Sequence, residues 1–321
     1  MSSACLPSVS NSARMSPANP RPVVSVVILS WNRRAELALS LNELRRSTYP
    51  SLEIIVVDND SADDSVTVVR RDYPEVRLIV LPKNIGVAGF NAGFEGALGE
   101  YIVVLDDDSY PVPDAIDILV GLMGQYPRAA AISGKIIDPR TGRICTSGPP
   151  IPEKFTSFWG GGAMLRRSAV VAAGGYDQKL FVYANEYDLC VRLIRAGHDV
   201  FYCRDAVFYH LFAETARPSS GGYLWGRNEV WFNLRYVRWW LLPVTLPRST
   251  LWILTLARGS LRGMWTRLRG VLNGFVSFDW YDRDPVDADV MRLLMRHHWS
   301  FKAPTRYLWN RFVLRRPQGE R

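Results

Sequence analysis

The feature that most limits what this chain can fold into is an alternation that begins at Val23. Short β-branched runs, Val23 to Leu29, Glu53 to Val57, Arg77 to Leu81 and Tyr101 to Leu105, take turns with segments of helical period, Glu36 to Arg46, Asp63 to Asp72 and Val87 to Leu98. A β-α-β-α-β-α-β order with nearly continuous apolar strands describes a parallel sheet covered by helices on both faces. Ligands of such sheets collect at the carboxyl ends of the strands. Polar residues stand at each of those ends: Ser30, Asn32 and Arg33 after the first strand, Asp58, Asn59 and Asp60 after the second, Lys83 and Asn84 after the third, and Asp106, Asp107 and Asp108 after the fourth. Helix capping accounts for residues such as Asp60 and Ser61. It does not account for three carboxylates in a row, which repel one another at a buried strand end unless a cation neutralises them. A divalent ion, Mg²⁺ or Mn²⁺, that shares its shell with phosphate oxygens meets that need. The first strand is followed by neither a G-x-G-x-x-G nor a Walker A sequence, so the ordinary dinucleotide and P-loop classes lose their support.

Four stretches carry a resemblance: Val-Ser-Val-Val-Ile-Leu-Ser-Trp-Asn-Arg33, Val-Val-Asp-Asn-Asp-Ser61, Asn84-Ile-Gly-Val-Ala-Gly-Phe-Asn-Ala-Gly93 and Leu-Asp-Asp-Asp108. In order and spacing they resemble the inverting glycosyltransferases of family 2, over residues 23–212, and within that family the rhamnosyltransferase-like branch that builds bacterial surface polysaccharides. The resemblance implies an α/β fold of GT-A type, Rossmann-like, with a helical C-terminal extension. It implies a nucleotide-diphosphate sugar donor, UDP- or dTDP-linked, with dTDP-rhamnose among the candidates, and a hydroxyl acceptor on a glycan or lipid-linked chain. By resemblance Asp58 binds the base, Asn84, Gly86 and Asn91 shape the wall beside base and ribose, and Ser30, Asn32 and Arg33 join the nucleotide contacts. Asp106 contacts ribose or metal, Asp108 is the metal ligand proper, and Asp107 is the spacer of that pair, counted here with the nucleotide contacts.

Three further segments fit the same pattern. Phe158-Trp-Gly-Gly-Gly-Ala-Met-Leu-Arg-Arg167 resembles the glycine-rich approach to the acceptor region, with Trp159, Gly160, Gly161 and Gly162 as its candidates; glycine permits close passage of backbone and sugar. Asn185-Glu-Tyr-Asp188 resembles the acidic helix start that carries the family's catalytic base. Asn185 replaces the first acid, Glu186 stands in the base position, and Asp188 is the second candidate. His210, after the apolar stretch Ala206 to Tyr209, resembles a histidine that completes the metal site. Arg227 and Asn228 either meet the diphosphate or cap and pair on their own helix.

Composition adds where the rest of the chain acts. The 321 residues are 48% hydrophobic and 22% charged, an ordinary globular mixture, and four cysteines without a CxxC pair fit a reducing, cytoplasmic setting. Residues 235–321 hold 16 Lys/Arg against 6 Asp/Glu, and nine of the eleven tryptophans lie in the C-terminal third, from Trp225 onward. Basic and aromatic together point to an anionic membrane surface at the inner face; nucleic acid is not expected, because no binding motif accompanies the charge. Trp239 to Ala257 is apolar, but Pro243, Pro247 and Arg248 are expected to divide it into two short pieces, too short to span a bilayer. The expected division is a disordered tail over 1–22, a catalytic domain over 23–215 and a basic, Trp-rich helical region over 216–321. Two other functions stay open: sugar transfer to a polyprenyl phosphate, and a non-catalytic nucleotide-sugar-binding scaffold prompted by Asn185.

Overall fold

The computed structural model describes residues 21–212, 221–257 and 259–297. The expected tail therefore lies almost wholly outside the described residues, as does the boundary at 215/216. Among the described residues eight strands, β1 (Val24–Ser30), β2 (Leu52–Asp58), β3 (Arg77–Val80), β4 (Tyr101–Asp106), β5 (Ser109–Pro111), β6 (Ala129–Ile137), β7 (Ala163–Arg166) and β8 (Asp199–His210), form one sheet in the order β3-β2-β1-β4-β7-β6-β8-β5. The helices are α1 (Arg34–Leu44), α2 (Ser65–Asp72), α3 (Phe90–Gly96), α4 (Ala115–Gln125), α5 (Arg167–Ala172), α6 (Asn185–Arg195), α7 (Gly221–Tyr236), α8 (Leu242–Thr255), α9 (Leu261–Val276) and α10 (Ala288–His297).

The period of two sorts the strand residues onto two cores. Val24, Val26 and Ile28 of β1 join Val56, Val103 and Leu105 under Leu37 and Leu41 of α1 and Leu119 of α4. Val27 joins Ile55, Val57, Ile102 and Val104 under Phe90 and Phe94 of α3 and Leu189 and Leu193 of α6. Burial on both faces is why these runs read as almost wholly apolar.

The sheet is mixed rather than parallel throughout. β1 runs parallel to β2 and β4, but β7 is antiparallel to both β4 and β6, and β5 is antiparallel to β8. Apolar burial sets where a strand lies and leaves its direction to non-local pairing, so the local pattern carried no sign of the reversal. Register then sets the rim. Ser30 pairs with Asp58, Leu29 with Asp106, and Ser109 with His210, which brings the end of β8 beside the acidic triplet. A slip of one residue in β8 would turn His210 to the opposite face.

α8 corrects the expected division of Trp239 to Ala257. It runs unbroken from Leu242 to Thr255, with Pro243 in its first turn and Pro247 inside it. A first-turn proline loses no helical hydrogen bond, and Pro247 forfeits one bond that the rest of the helix tolerates. α9 lies along α7 with backbone close to backbone: a methyl group at Gly226 would overlap the Arg267 carbonyl, and one at Gly270 would overlap the Tyr223 carbonyl.

Candidate active site

The acidic triplet divides by direction. Asp106 and Asp108 turn toward His210, whose Nε2 lies 3.2 Å from Asp106 Oδ2 and 3.2 Å from Asp108 Oδ1. One ligand atom from each of the three falls within 4.8 Å of the other two, and Asp108 and His210 are buried. Two carboxylates and an imidazole are a donor set suited to Mn²⁺ or Mg²⁺ with open positions for phosphate oxygens, so the residues fit the expected ion. Burial alone would lower the His210 pKa, but the hydrogen bond and charge of Asp106, with the charge of Asp108, raise it above the usual imidazole value.

Asp107 points the other way. Its Oδ2 accepts from the Trp31 amide at 3.1 Å, its Oδ1 from Arg33 Nη1 at 3.0 Å, and its carbonyl from Ser40 Oγ at 2.8 Å. Burial pushes its carboxyl up to about 7 against the pull of Arg33, and the neighbouring Asp108 and Asp106 charges add to the rise. Both oxygens are engaged within the protein, so Asp107 ties the end of β4 to the turn after β1. The same Arg33 Nη1 lies 3.1 Å from Asp108 Oδ2, which makes it the counter-charge of the triplet.

The remaining nucleotide candidates occupy the adjoining rim with different availability. Asp58 Oδ2 accepts from the Ser61 amide at 3.0 Å, while its Oδ1 and the Ser30 Oγ beside it are buried with no hydrogen-bond partner among the described residues. Two unsatisfied buried polar atoms on paired residues are a cost that a bound ligand removes. Asn32, in left-handed backbone at φ 54°, accepts from the Ala62 amide at 2.6 Å and borders a depression of about 440 Å³ with Arg33, Arg34 and Asp63. Asn84 accepts from the Gly86 amide at 2.8 Å and from Asn59 Nδ2 at 3.1 Å. Asn59, one of the polar residues expected at the end of β2 but given no role there, also donates to the Gly86 carbonyl at 3.0 Å and so holds this loop. Gly86 (φ 68°) packs against Phe181, where any Cβ would overlap the carbonyl. Asn91 has both amide atoms on the backbone of Tyr176, at 2.9 and 2.8 Å, which makes it a clamp between α3 and the loop after α5.

The glycines expected near an acceptor close over the Asp106, Asp108 and His210 side chains. A methyl group at Gly161 would stand 2.7 Å from His210 Cδ2 and 3.3 Å from Asp106 Oδ2. One at Gly160 would stand 3.1 Å from Glu186 Oε1 and 3.8 Å from Asp106 Oδ1, so both carboxylates reach the same small volume. Gly162 packs on Phe208 and Ile136, and half-exposed Trp159 donates its amide to Ser133 Oγ at 3.3 Å.

Glu186 and Asp188 leave the first turn of α6 in different directions. Burial, joined by the charge of Asp106, pushes Glu186 up to about 7. Asp188 is held by Arg192 at 2.7 Å, Arg235 at 2.9 Å and the Tyr236 hydroxyl at 2.6 Å, a network that joins α6 to α7. Asn185 is fully buried, and neither amide atom meets a partner among the described residues. The turn before α6 places Phe181, Tyr183 and Ala184 in left-handed backbone, φ 62°, 68° and 64°. Non-glycine residues adopt that region only when the surroundings impose it. Asn228 of α7 imposes it here: its Nδ2 donates to the carbonyls of Leu180, Val182 and Tyr183 at 2.8, 2.8 and 3.0 Å. Arg227 adds bonds to the Lys179 and Leu180 carbonyls at 2.9 and 3.2 Å, and the Trp225 ring stacks on Tyr183 at 4.8 Å.

Comparison with known proteins places the chain in a family. A family model described as glycosyl transferase family 2 matches residues 25–170, and one described as glycosyl transferase family group 2 matches residues 101–281. The chain is similar to an N-acetylglucosaminyl-diphospho-decaprenol L-rhamnosyltransferase of Mycobacterium tuberculosis, 26% identical over 69% of this chain and 88% of that protein. It is also similar to a glucosyl-dolichyl phosphate glucuronosyltransferase of Haloferax volcanii, 24% identical over 60% of this chain and 70% of that one. Among solved structures, a mannosyltransferase from Pyrobaculum calidifontis in complex with GDP-Man and Mn²⁺ superposes with a TM-score of 0.56 at 18% identity, over 90% of this chain and 83% of that one. GalNAc-T7 with UDP, GalNAc and Mn²⁺ gives 0.57 at 11% identity, over 91% and 58%. These two show the GT-A fold. With the second of those family models matched over more than half its length, the chain belongs to glycosyl transferase family group 2.

Proposed function

We propose that this chain is an inverting, divalent-metal-dependent transferase that moves a sugar from a nucleotide-diphosphate donor, dTDP-rhamnose or a UDP-sugar, to a hydroxyl of a lipid-linked glycan during cell-surface polysaccharide synthesis. The observation that carries the reading is the meeting of Asp106, Asp108 and His210 with Glu186 around the Gly160–Gly161 backbone. Asp58 Oδ1 and Ser30 Oγ offer unsatisfied atoms to the base and ribose. Asp106, Asp108 and His210 would hold the ion, which when bound neutralises the departing nucleoside diphosphate. Glu186 takes the proton of the acceptor hydroxyl as its oxygen bonds to the anomeric carbon and the bond to the diphosphate breaks on the opposite face. Gly160 leaves room for the acceptor beside that carboxylate. The mycobacterial relative supports the lipid-linked acceptor and the rhamnosyl donor.

A phosphate acceptor, as in transfer to a polyprenyl phosphate, needs little help from a base. The position of Glu186 beside Asp106 favours the hydroxyl acceptor, and with it an enzyme over a scaffold. The test is transfer from a panel of UDP- and dTDP-sugars to N-acetylglucosaminyl-diphospho-polyprenol, with Mn²⁺, with Mg²⁺ and with chelator. Asp108→Ala is expected to lose metal-dependent transfer while its melting transition survives. Wild-type transfer that ignores the chelator overturns the metal reading. Products formed only on polyprenyl phosphate overturn the acceptor.

A further inference from the structure

We propose that the outward face of α9 is a docking surface for an anionic lipid headgroup layer. This deepens the reading of a lipid-linked acceptor by naming the surface that meets the membrane, and it rests on that reading only for its purpose.

The inward side of α9 is small: its buried residues are Gly270, Val271 and Gly274, set against α7. Its outward side is large and apolar. Leu261, Met264, Trp265, Leu272, Phe275 and Val276 recur at intervals of three, one, seven, three and one, which places them in a single stripe of an α-helix. They face solvent, with Leu261 at 82%, Trp265 at 59% and Val276 at 85% exposure. A surface helix of a soluble domain turns such a stripe inward; here the stripe is outside and the glycines are inside. Arg262 and Arg269, seven residues apart and exposed, run along one edge of it. α8 and the turn before it add outward Trp239, Trp240 and Val244.

Charge selects the occupant. From residue 238 to residue 278 the chain has six arginines and no acidic residue. A second copy would bring the same positive charge to the contact. The segments of this chain outside the description have no acidic surplus to offer: residues 1–20 hold one basic and no acidic residue, residues 213–220 one of each, and residues 298–321 six basic and one acidic. An anionic headgroup layer complements both halves of the surface, taking apolar side chains into the acyl boundary and arginines at the phosphates. No helix among the described residues is long and apolar enough to cross a membrane, so the geometry is that of a helix lying in the interface.

The experiment is co-sedimentation of the full chain with phosphatidylglycerol vesicles and with phosphatidylcholine vesicles, at low and high salt, with neither sugar donor nor acceptor present. Transferase chemistry plays no part in that measurement, so either reading can fail alone. Wild type is expected to bind the anionic vesicles and to release as salt rises. Trp265→Ser with Phe275→Ser, and separately Arg262→Glu with Arg269→Glu, are each expected to weaken binding at least about tenfold with an unchanged melting temperature. The arginine pair lies on the exposed edge and keeps the test decisive if the apolar pair fails to fold. A wild type that ignores anionic vesicles overturns the proposal, whether it is monomeric or hides the face in a concentration-dependent dimer. Equal binding to the two lipids overturns the anionic assignment.

Discussion

Glu186 is the residue whose ionisation carries the most consequence. Its pKa, raised from an ordinary 4.5 to about 7, means that the folded protein holds this proton more tightly than the unfolded chain does. Ionising it therefore costs stability that is absent below the unfolded value and fully present above the folded one. Glu186→Gln removes the cost, and the variant should be more stable than wild type near pH 8 by on the order of 2 kcal/mol, the difference closing by about pH 4. Thermal melts across pH read this directly; a variant less stable at both ends would show that the carboxylate is not strained. The same substitution should cost roughly 10² to 10⁴ in turnover while donor binding survives, and the acid limb of the pH–rate profile, expected at or below about 7 because an ion on Asp106 offsets part of its charge, should vanish with it. Gly161 makes a second test without touching a ligand. Its missing Cβ would stand 2.7 Å from the His210 ring, so Gly161→Ala should weaken Mn²⁺ binding by at least the roughly tenfold that outer partners of a metal site cost. Calorimetric titration that finds wild-type affinity would mean that the ring yields.

The strands and the first site residues were legible because each is local: a β-branched run that stops at a polar residue announces both a strand and its rim. The acidic triplet Asp106 to Asp108 was picked out in that way, whereas the helix start at Asn185 and the choice of Asp106 and Asp108 within the triplet came from the resemblance alone. What stayed hidden depends on distant partners. The acceptors of Asn228 lie 45 to 48 residues upstream, and nothing near Asn228 in the chain marks a side chain that gathers three carbonyls. The antiparallel β7 was hidden for the same reason. Asn228 holds the turn before α6, so with Glu186 as the proposed base it is expected to act as a positioning residue. Asn228→Ala should lower kcat by roughly 10-fold or more with donor KM unchanged, since a small displacement of a catalytic group is costly. Asn228→Asp, which lacks the donating NH₂, should not rescue it. An equal rise in donor KM would make the role general stability instead.

At the scale of the whole molecule, the sequence marked only a basic helical region over 216–321, and a helical stripe such as that of α9 reads the same whether it faces a core or a bilayer. Only the packing of α9 on α7 through glycines decides which side is free. That packing has a further consequence. α7 grips the turn that leads to Glu186 with Trp225, Arg227 and Asn228, and meets α9 at Gly226, with no side chain between the backbones to absorb a displacement. A load applied to α9 from outside is therefore expected to pass through α7, as through a lever, to the segment that carries Glu186, the proposed base. Hydrogen exchange should detect it: anionic vesicles are expected to slow exchange in residues 180–187 as well as in α9, and Gly270→Ala, which forces the two helices apart, should confine the protection to α9. Protection of α9 alone in the wild type would mean that the lever is slack. If it is taut, the protein senses through its own backbone whether it rests on a surface before it commits a sugar.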